Sequence, residues 1–442
     1  MFRNLLPQVS SGLLVVLGLC YTFDMSNAPK CLVIGLAILT ATTLMAEPPS
    51  WTGWLGPKRT GWVEGFEVPV AWPSKLEPLW KRTVGGGYGT PLVVGDRVFQ
   101  HGRIGEDEVV SCLDVQTGSV LWQSNDDKEV AFEMGGGARS HGKGPKASPV
   151  YADGRVFTMS IVGVLIGRDA KTGQRLWQRD YRDEFNQNHP YWGVSTSPIV
   201  DGEQLIVQVG NDGSGTLLGL DVSTGKEIWR QGKDGTDYNS PLIVEIDGVR
   251  QIVQWTHEDV LGVESQTGKR LWAFHFPHRG NNQNTPTPVF HDGRLLVGGE
   301  NRGIKCLQPK RNGDGNWSVT ELWHQKEVSL DMSSAVINNG HLYGLSEYKM
   351  GRFFCLDPIG GKVHWQTRGR EAEHASFLAI PGHMLALTNR GELKILKATS
   401  ENYTEVTCYE VADGPTWAPP VLLQDGVLIK GKDSLQRWLF KP

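Results

Sequence analysis

Val150-Tyr151-Ala152-Asp153-Gly154-Arg155-Val156-Phe157 is the stretch that decides the fold. Runs rich in β-branched and aromatic residues flank Asp153-Gly154. Asp-Gly in that setting is a tight hairpin turn, because the turn needs positive φ, which Gly and, less readily, Asp tolerate. The pattern returns at Gly95-Asp96, Asp201-Gly202, Asp247-Gly248, Asp292-Gly293, Asn339-Gly340, Pro381-Gly382 and Asp425-Gly426, at intervals of 42 to 58 residues. A period of that size marks a circular or solenoid array of repeated units.

A second motif follows each hairpin. It reads Cys112-Leu113-Asp114-x-x-Thr117-Gly118-x-x-x-Trp122 and recurs through Asp169-x-x-Thr172-Gly173-x-x-x-Trp177, Asp221-x-x-Thr224-Gly225-x-x-x-Trp229 and Glu264-x-x-Thr267-Gly268-x-x-x-Trp272. A looser copy ends Asp357-x-x-Gly360-Gly361-x-x-x-Trp365. This predicts a hairpin between the third and fourth strands of each unit. The acidic side chain accepts turn N–H groups, Gly takes the left-handed position, and Trp on the outermost strand packs between units. The copy before Trp323 carries the insertion Gln308–Asn316, and the last unit stops at Gln436-Arg437-Trp438-Leu439, one strand short. Leu79-Trp80-Lys81-Arg82 has the Trp-bearing pattern without a preceding hairpin. The expectation is therefore an all-β, eight-bladed propeller of four-stranded antiparallel blades over residues 79–442, about 45 residues per blade, closed by the N-terminal strand 79–84 against the C-terminal strands.

Composition agrees with an all-β array. Gly (54) and Trp (16) are abundant, and the formal charge of −4 comes without a Lys/Arg stripe, which argues against a nucleic-acid partner. Residues 1–46 carry two apolar stretches, Ser11–Phe23 and Cys31–Ala46. The second, with Lys30 before it and Leu44-Met45-Ala46 at its end, reads as a signal peptide, with Met25 an alternative start. Each stretch is shorter than the ~20 apolar residues of a spanning helix, so an exported monomer of the periplasm or cell envelope is expected, with no stable membrane span after cleavage. Residues 47–78, rich in Trp, Pro and Gly, form a leader expected to wrap the ring or plug one face. Cys112, Cys306 and Cys355 share one repeat position, which equivalent blades hold far apart, so they read as small buried strand residues rather than disulfide or metal ligands.

The repeated Asp-x-x-Thr-Gly-x-x-x-Trp resembles the pyrroloquinoline-quinone (PQQ) repeat, or tryptophan-docking motif, carried here by Trp80, Trp122, Trp177, Trp229, Trp272, Trp323 and Trp365. Trp51–Gly61 resembles the leader of exported PQQ-like propellers. The resemblance implies two functional branches. Quinoprotein alcohol dehydrogenases hold PQQ and Ca²⁺ in the channel; the outer-membrane-assembly propeller lipoprotein holds no cofactor and binds protein partners. Fold alone does not choose between them. The vicinal cysteine pair of several family enzymes is absent here.

The connectors entering each blade end at Thr90, Ser148, Ser197, Ser240, Thr287, Ser334, Ser376 and Pro419 and converge on the channel mouth. For a flat tricarboxylated quinone, Trp192 or Trp417 is a candidate floor, with Tyr238 beside it. Arg279, Lys146 and Asn281 are candidate polar partners. Asp237 or Asp331 is a candidate metal ligand or base, and Glu373 a further catalytic candidate. His141, His189, His278 and His374 occupy four of these connectors at irregular spacing, which favours loop hydrogen bonding over a metal. Gly135-Gly136-Gly137-Ala138 lacks the strand–loop–helix setting of a phosphate loop and instead suits a long loop over the mouth. The leading expectation is a binding or scaffold module that engages a protein partner or small ligand at the mouth. The alternative is a PQQ-dependent dehydrogenase oxidising an alcohol or sugar. Carbohydrate binding at the aromatic mouth is a third reading.

Overall fold

The computed structural model describes residues 50–441 except 126, 129, 134–138, 140, 186–188, 281–282 and 347–349. The expected signal peptide, the Gly135–Ala138 stretch and Asn281 lie outside the described residues. Blade one runs outward from the channel as Leu92–Val94, Arg97–Ile104, Asp107–Asp114 and Val120–Gln123, each strand antiparallel to the last. The same order builds the blades opening at Val150, Ile199, Leu242, Val289, Val336 and Ala375. Blade eight takes three strands from the C-terminus, and Glu77–Thr83 supplies its outer strand by pairing antiparallel with Ser434–Leu439. The ring is thus closed by backbone hydrogen bonds between the two ends of the propeller, as the repeat predicts. The closing strand begins at Glu77 rather than at 79. The described residues contain no α-helix, and none of their helices is long and apolar enough to cross a membrane.

The hairpin turns follow their chemistry. Asp153, Asp247, Asp292 and Asn339 sit at φ 46–48°, each followed by Gly with positive φ, as a two-residue type I′ turn demands. Two turns are displaced from the predicted register. In blade three Asp201 pairs with Gln204, so the turn is Gly202-Glu203. In blade eight Leu423 pairs with Gly426, so the turn is Gln424-Asp425. The reason in blade eight is close approach: a Cβ on Gly426 would meet the Trp438 carbonyl oxygen at 1.9 Å, so this glycine serves the strand rather than the turn.

The second motif joins neighbouring blades. Asp114 Oδ1 accepts from the N–H groups of Gln116 and Thr117 at 3.1 and 2.7 Å, and Gly118 has φ 66°. That glycine lies beneath the Trp80 ring of blade eight, and Trp80 Nε1 donates to Val115 O at 3.0 Å. The contact repeats around the ring: Trp122 donates to Ala170 O, Trp177 to Val222 O, Trp229 to Ser265 O, Trp323 to Ile359 O and Trp365 to Thr399 O. Trp272 departs from the pattern and donates to Gln251 Oε1 of its own blade. Its neighbour, blade five, has replaced the tight turn with a hairpin extended to Arg311↔Trp317, so no turn carbonyl waits there. In six blades the residue opposite the Trp is small, whereas in blade eight Trp80 pairs with Arg437. Gly167, Gly219 and Gly262 pair with Trp177, Trp229 and Trp272, and Cys112, Cys306 and Cys355 pair with Trp122, Trp323 and Trp365. All three cysteines are fully buried.

Residues 51–63 run against the innermost strands. Trp51 exchanges both backbone hydrogen bonds with Val93 of blade one, and Tyr151 of blade two donates to Thr52 O. The buried Arg59 guanidinium donates to Ser197 O and Pro241 O, each at 2.9 Å, and to Pro198 O. Gly61 and Val63 pair with Ala379 of blade seven. An innermost strand presents unpaired backbone groups to the channel, and this segment satisfies some of them. Phe66 and Trp72 then pack with Phe440, and Tyr409 Oη donates to Pro73 O at 2.7 Å.

Candidate functional site

The residue that ends each connector builds a collar around the channel. Ser148 Oγ accepts the Thr90 N–H at 2.9 Å, Ser197 Oγ the Ser148 N–H at 2.9 Å, and Ser240 Oγ the Ser197 N–H at 2.9 Å. Thr287 Oγ1 accepts the Ser240 N–H at 3.0 Å and Ser334 Oγ the Thr287 N–H at 3.2 Å. Five successive blade junctions are thereby stitched by one hydroxyl each. Proline follows in the first five blades, at Pro91, Pro149, Pro198, Pro241 and Pro288, and holds the chain extended as it turns into the innermost strand. Blade eight has Pro419 at the hydroxyl position and does not continue the collar.

Above the collar lies a cavity of about 170 Å³, which at ~10–15 Å³ per water holds on the order of ten waters or one small ligand. Its walls are aromatic: Tyr88, His141, Trp192, Tyr238, His374 and Trp417. His374 stacks on Trp417 at 4.8 Å and 22°, while His141 bridges Trp417 at 4.5 Å and Trp192 at 4.9 Å. Trp192 Nε1 donates to Gln283 Oε1 at 2.9 Å, which fixes the indole plane. Collar hydroxyls Ser197, Ser240, Thr287, Ser334 and Ser376 face the same space, and Trp54 and Leu55 of the leader segment line it too.

Burial controls the charges here. The His374 imidazole, held between Ser333 Oγ at 3.2 Å and Ser376 Oγ at 3.1 Å, is pushed down to about 4 by desolvation. Desolvation, then the neighbouring Lys146 charge, lowers His141 to about 4. Lys146 itself falls to about 8 through burial, opposed by the Glu108 carboxylate. Both histidines are therefore neutral at pH 7, and Lys146 is the one cation lining the cavity among the described residues.

Of the predicted site residues, the fold brings Trp192, Trp417, Tyr238 and Lys146 together and leaves the other charged candidates out. Arg279 and Glu373 are exposed and absent from the cavity wall. Asp331 is buried, but its neighbour Met332 does the lining. Asp237 is buried with its carboxylate 2.8 Å from His278 Nδ1, turned from the space that the adjacent Tyr238 faces. Sequence reading missed Gln283 and the collar. The Ser/Thr-Pro that recurs before the first strands of blades one to five was the signal that could have found the collar.

A family model described as outer membrane protein assembly factor BamB matches residues 65–142 and 106–367, more than half of the chain. The chain belongs to this PQQ-repeat propeller family. BamB of Burkholderia pseudomallei is 23% identical over 334 residues, 66% of this chain and 77% of that protein. Quinohemoprotein alcohol dehydrogenase ADH-IIG of Pseudomonas putida is 31% identical over 175 residues, 37% of this chain and 21% of that protein. The solved quinohemoprotein alcohol dehydrogenase of Comamonas testosteroni superimposes with a TM-score of 0.64 at 14% identity, over 90% of this chain and 81% of that one, a likeness of fold. The chain spans between 21% and 48% of the length of the first three dehydrogenases it matches.

PQQ with Ca²⁺ does not fit the residues of this PQQ-repeat cavity. Three quinone carboxylates would meet the single ammonium of Lys146. A hard cation needs several oxygen donors, usually with carboxylates among them, and among the described residues no Asp or Glu lines the cavity.

Proposed function

We propose that this chain is an exported, non-catalytic member of the family that binds a partner side chain or a small ligand at the channel mouth. The observation that carries the reading is the lining among the described residues: aromatic walls, a collar of hydroxyls, one cation and no carboxylate. Aromatic faces and hydroxyls bind planar or hydroxylated groups, whereas general acid–base work needs a titratable group poised near neutrality. His141 and His374, displaced to about 4, are poor bases at pH 7, and the phenol of Tyr238 is raised by burial.

The test has two arms. Purified protein is incubated with PQQ and Ca²⁺ and assayed for dye-linked alcohol oxidation; no turnover is expected. Turnover that disappears in Trp192→Ala would establish the dehydrogenase reading instead. A photo-crosslinking residue replacing the exposed Tyr191, beside Trp192, is expected to capture a discrete adduct in intact cells that the same residue at exposed Ile104 does not. Identical adducts at both positions would refute engagement at the mouth.

A further inference from the structure

Three loops of blades four and five hold a constellation that the cavity does not use. Asp237 lies in the connector into blade four, His257 in the turn between that blade's second and third strands, and His278 in the connector into blade five. One potential ligand atom from each falls within 4.8 Å of the others. Backbone hydrogen bonds pin the loops to one another: His257 N donates to Gly235 O at 2.9 Å, and His278 N donates to His257 O at 2.7 Å. Asn284 Nδ2 donates to Thr256 O at 2.8 Å and to His257 O at 3.4 Å, which ties the third loop back to the second. The positions are therefore set by the frame of the propeller rather than by flexible side chains alone.

The decisive contact is at His278. Its Nε2 sits 2.7 Å from Gly280 O, a carbonyl that only accepts, so Nε2 carries a hydrogen. A metal-binding histidine is oriented in the same way, by donating its remote N–H to a backbone carbonyl. Its Nδ1 then faces Asp237 Oδ2 at 2.8 Å. Two acceptors so close require a positive centre between them, a proton or a metal ion. The His257 ring stacks on that of His278 at 4.3 Å and 14°, so a third donor stands beside this point. The Asp212 carboxyl, raised by desolvation and then by the nearby Asp237 charge, supplies a second acidic group near the set.

We propose that Asp237, His257 and His278 bind one divalent first-row transition ion of the zinc class. Two imidazole nitrogens and one carboxylate oxygen suit such an ion, whereas Ca²⁺ takes six to eight oxygens. With metal–ligand bonds of about 2.0–2.1 Å, the 4.8 Å limit has to contract, and this requires the half-buried His257 ring to rotate out of its stack so that its lone pair meets the other two. Binding ties three neighbouring loops of the mouth together, one residue from Tyr238 in the cavity wall. The site stands independently of the cavity reading, since none of its three ligands lines that space.

The experiment is titration of the chelator-treated full-length protein with Zn²⁺ and with Ca²⁺ by calorimetry, and with Co²⁺ by visible absorption. One Zn²⁺ per chain is expected, with no Ca²⁺ heat and a Co²⁺ d–d spectrum. His278→Ala and His257→Gln should each weaken Zn²⁺ at least 100-fold. His257→Gln guards against misfolding of the other variant, because the only polar contact of the His257 side chain among the described residues is with the Glu258 side chain at 3.4 Å. His341→Gln, from a second close histidine pair with His364 on blade six, should leave the affinity unchanged. Absence of Zn²⁺ binding, or binding that survives both site variants or is lost in His341→Gln, would overturn the proposal.

Discussion

His374 gives the sharpest stability prediction. Its imidazole is buried between Ser333, Ser376 and the Trp417 ring, and desolvation lowers it from 6.5 to about 4. The unfolded chain therefore binds a proton that the folded chain refuses between those two values. Stability from this group is fully present above pH 6.5 and is lost as pH falls toward 4. About 2.5 pKa units at 1.36 kcal/mol each amount to about 3 kcal/mol. The perturbation is His374→Gln, which keeps polar atoms in the site and removes the titration. Urea unfolding of wild type and variant at pH 7.5 and pH 4 gives two stability differences. Wild type should lose about 3 kcal/mol more than the variant across that range. The comparison cancels the titrating groups that do not interact with His374; His141, whose charge also lowers His374, remains coupled to it. Parallel pH dependences would refute the burial argument and with it the claim that the cavity histidines are neutral.

Three further outcomes follow from the same contacts. Ser197→Ala removes the acceptor of the Ser148 N–H, so a buried donor is left unpaired; chemical denaturation should show a loss of about 1–3 kcal/mol, recovered in Ser197→Thr. Gly225→Ala puts a methyl 2.6 Å from the Trp177 ring at φ 65° and should cost about 2–4 kcal/mol, whereas Gly232→Ala, at φ 80° with open space around it, should cost about 1 kcal/mol. Fluorescence titration with the anionic aromatic probe 8-anilinonaphthalene-1-sulfonate should show affinity falling as pH rises through about 8, where Lys146 loses its proton, and Lys146→Met should bind weakly with no such dependence.

The repeat carried the architecture because it is local chemistry. A turn that requires positive φ announces itself in Asp-Gly and Asn-Gly, and a strand alternates whatever lies beyond it. Even closure was legible, since Trp80 and Trp438 mark two incomplete halves of one blade. The displaced turn at Gln424-Asp425 shows where local reading fails: both residues of an Asp-Gly pair look like a turn until a neighbouring strand, here at Trp438, claims the glycine for close approach; at Gly202-Glu203 the glycine stays in the turn with open space around it, and the shift has no such cause.

The aromatic half of the mouth was readable as residue types in converging loops, and Trp192, Trp417, Tyr238 and Lys146 do meet there. The charged half was not. Asp237, Asp331, Arg279 and Glu373 occupy the same connectors, yet whether a side chain faces the channel, a neighbouring loop or solvent depends on backbone direction at that residue. The same holds for the leader, whose Arg59 reaches Ser197 and Pro241 across more than a hundred residues of sequence. The number of blades and the way they lock were thus written in the chain, because hydrogen-bonding turns recur in every repeat and a docking tryptophan in all but blade seven. Which groups share the cavity and which share the histidine cluster was settled by folding, because those sets are drawn from different blades and are related by the ring, not by the chain.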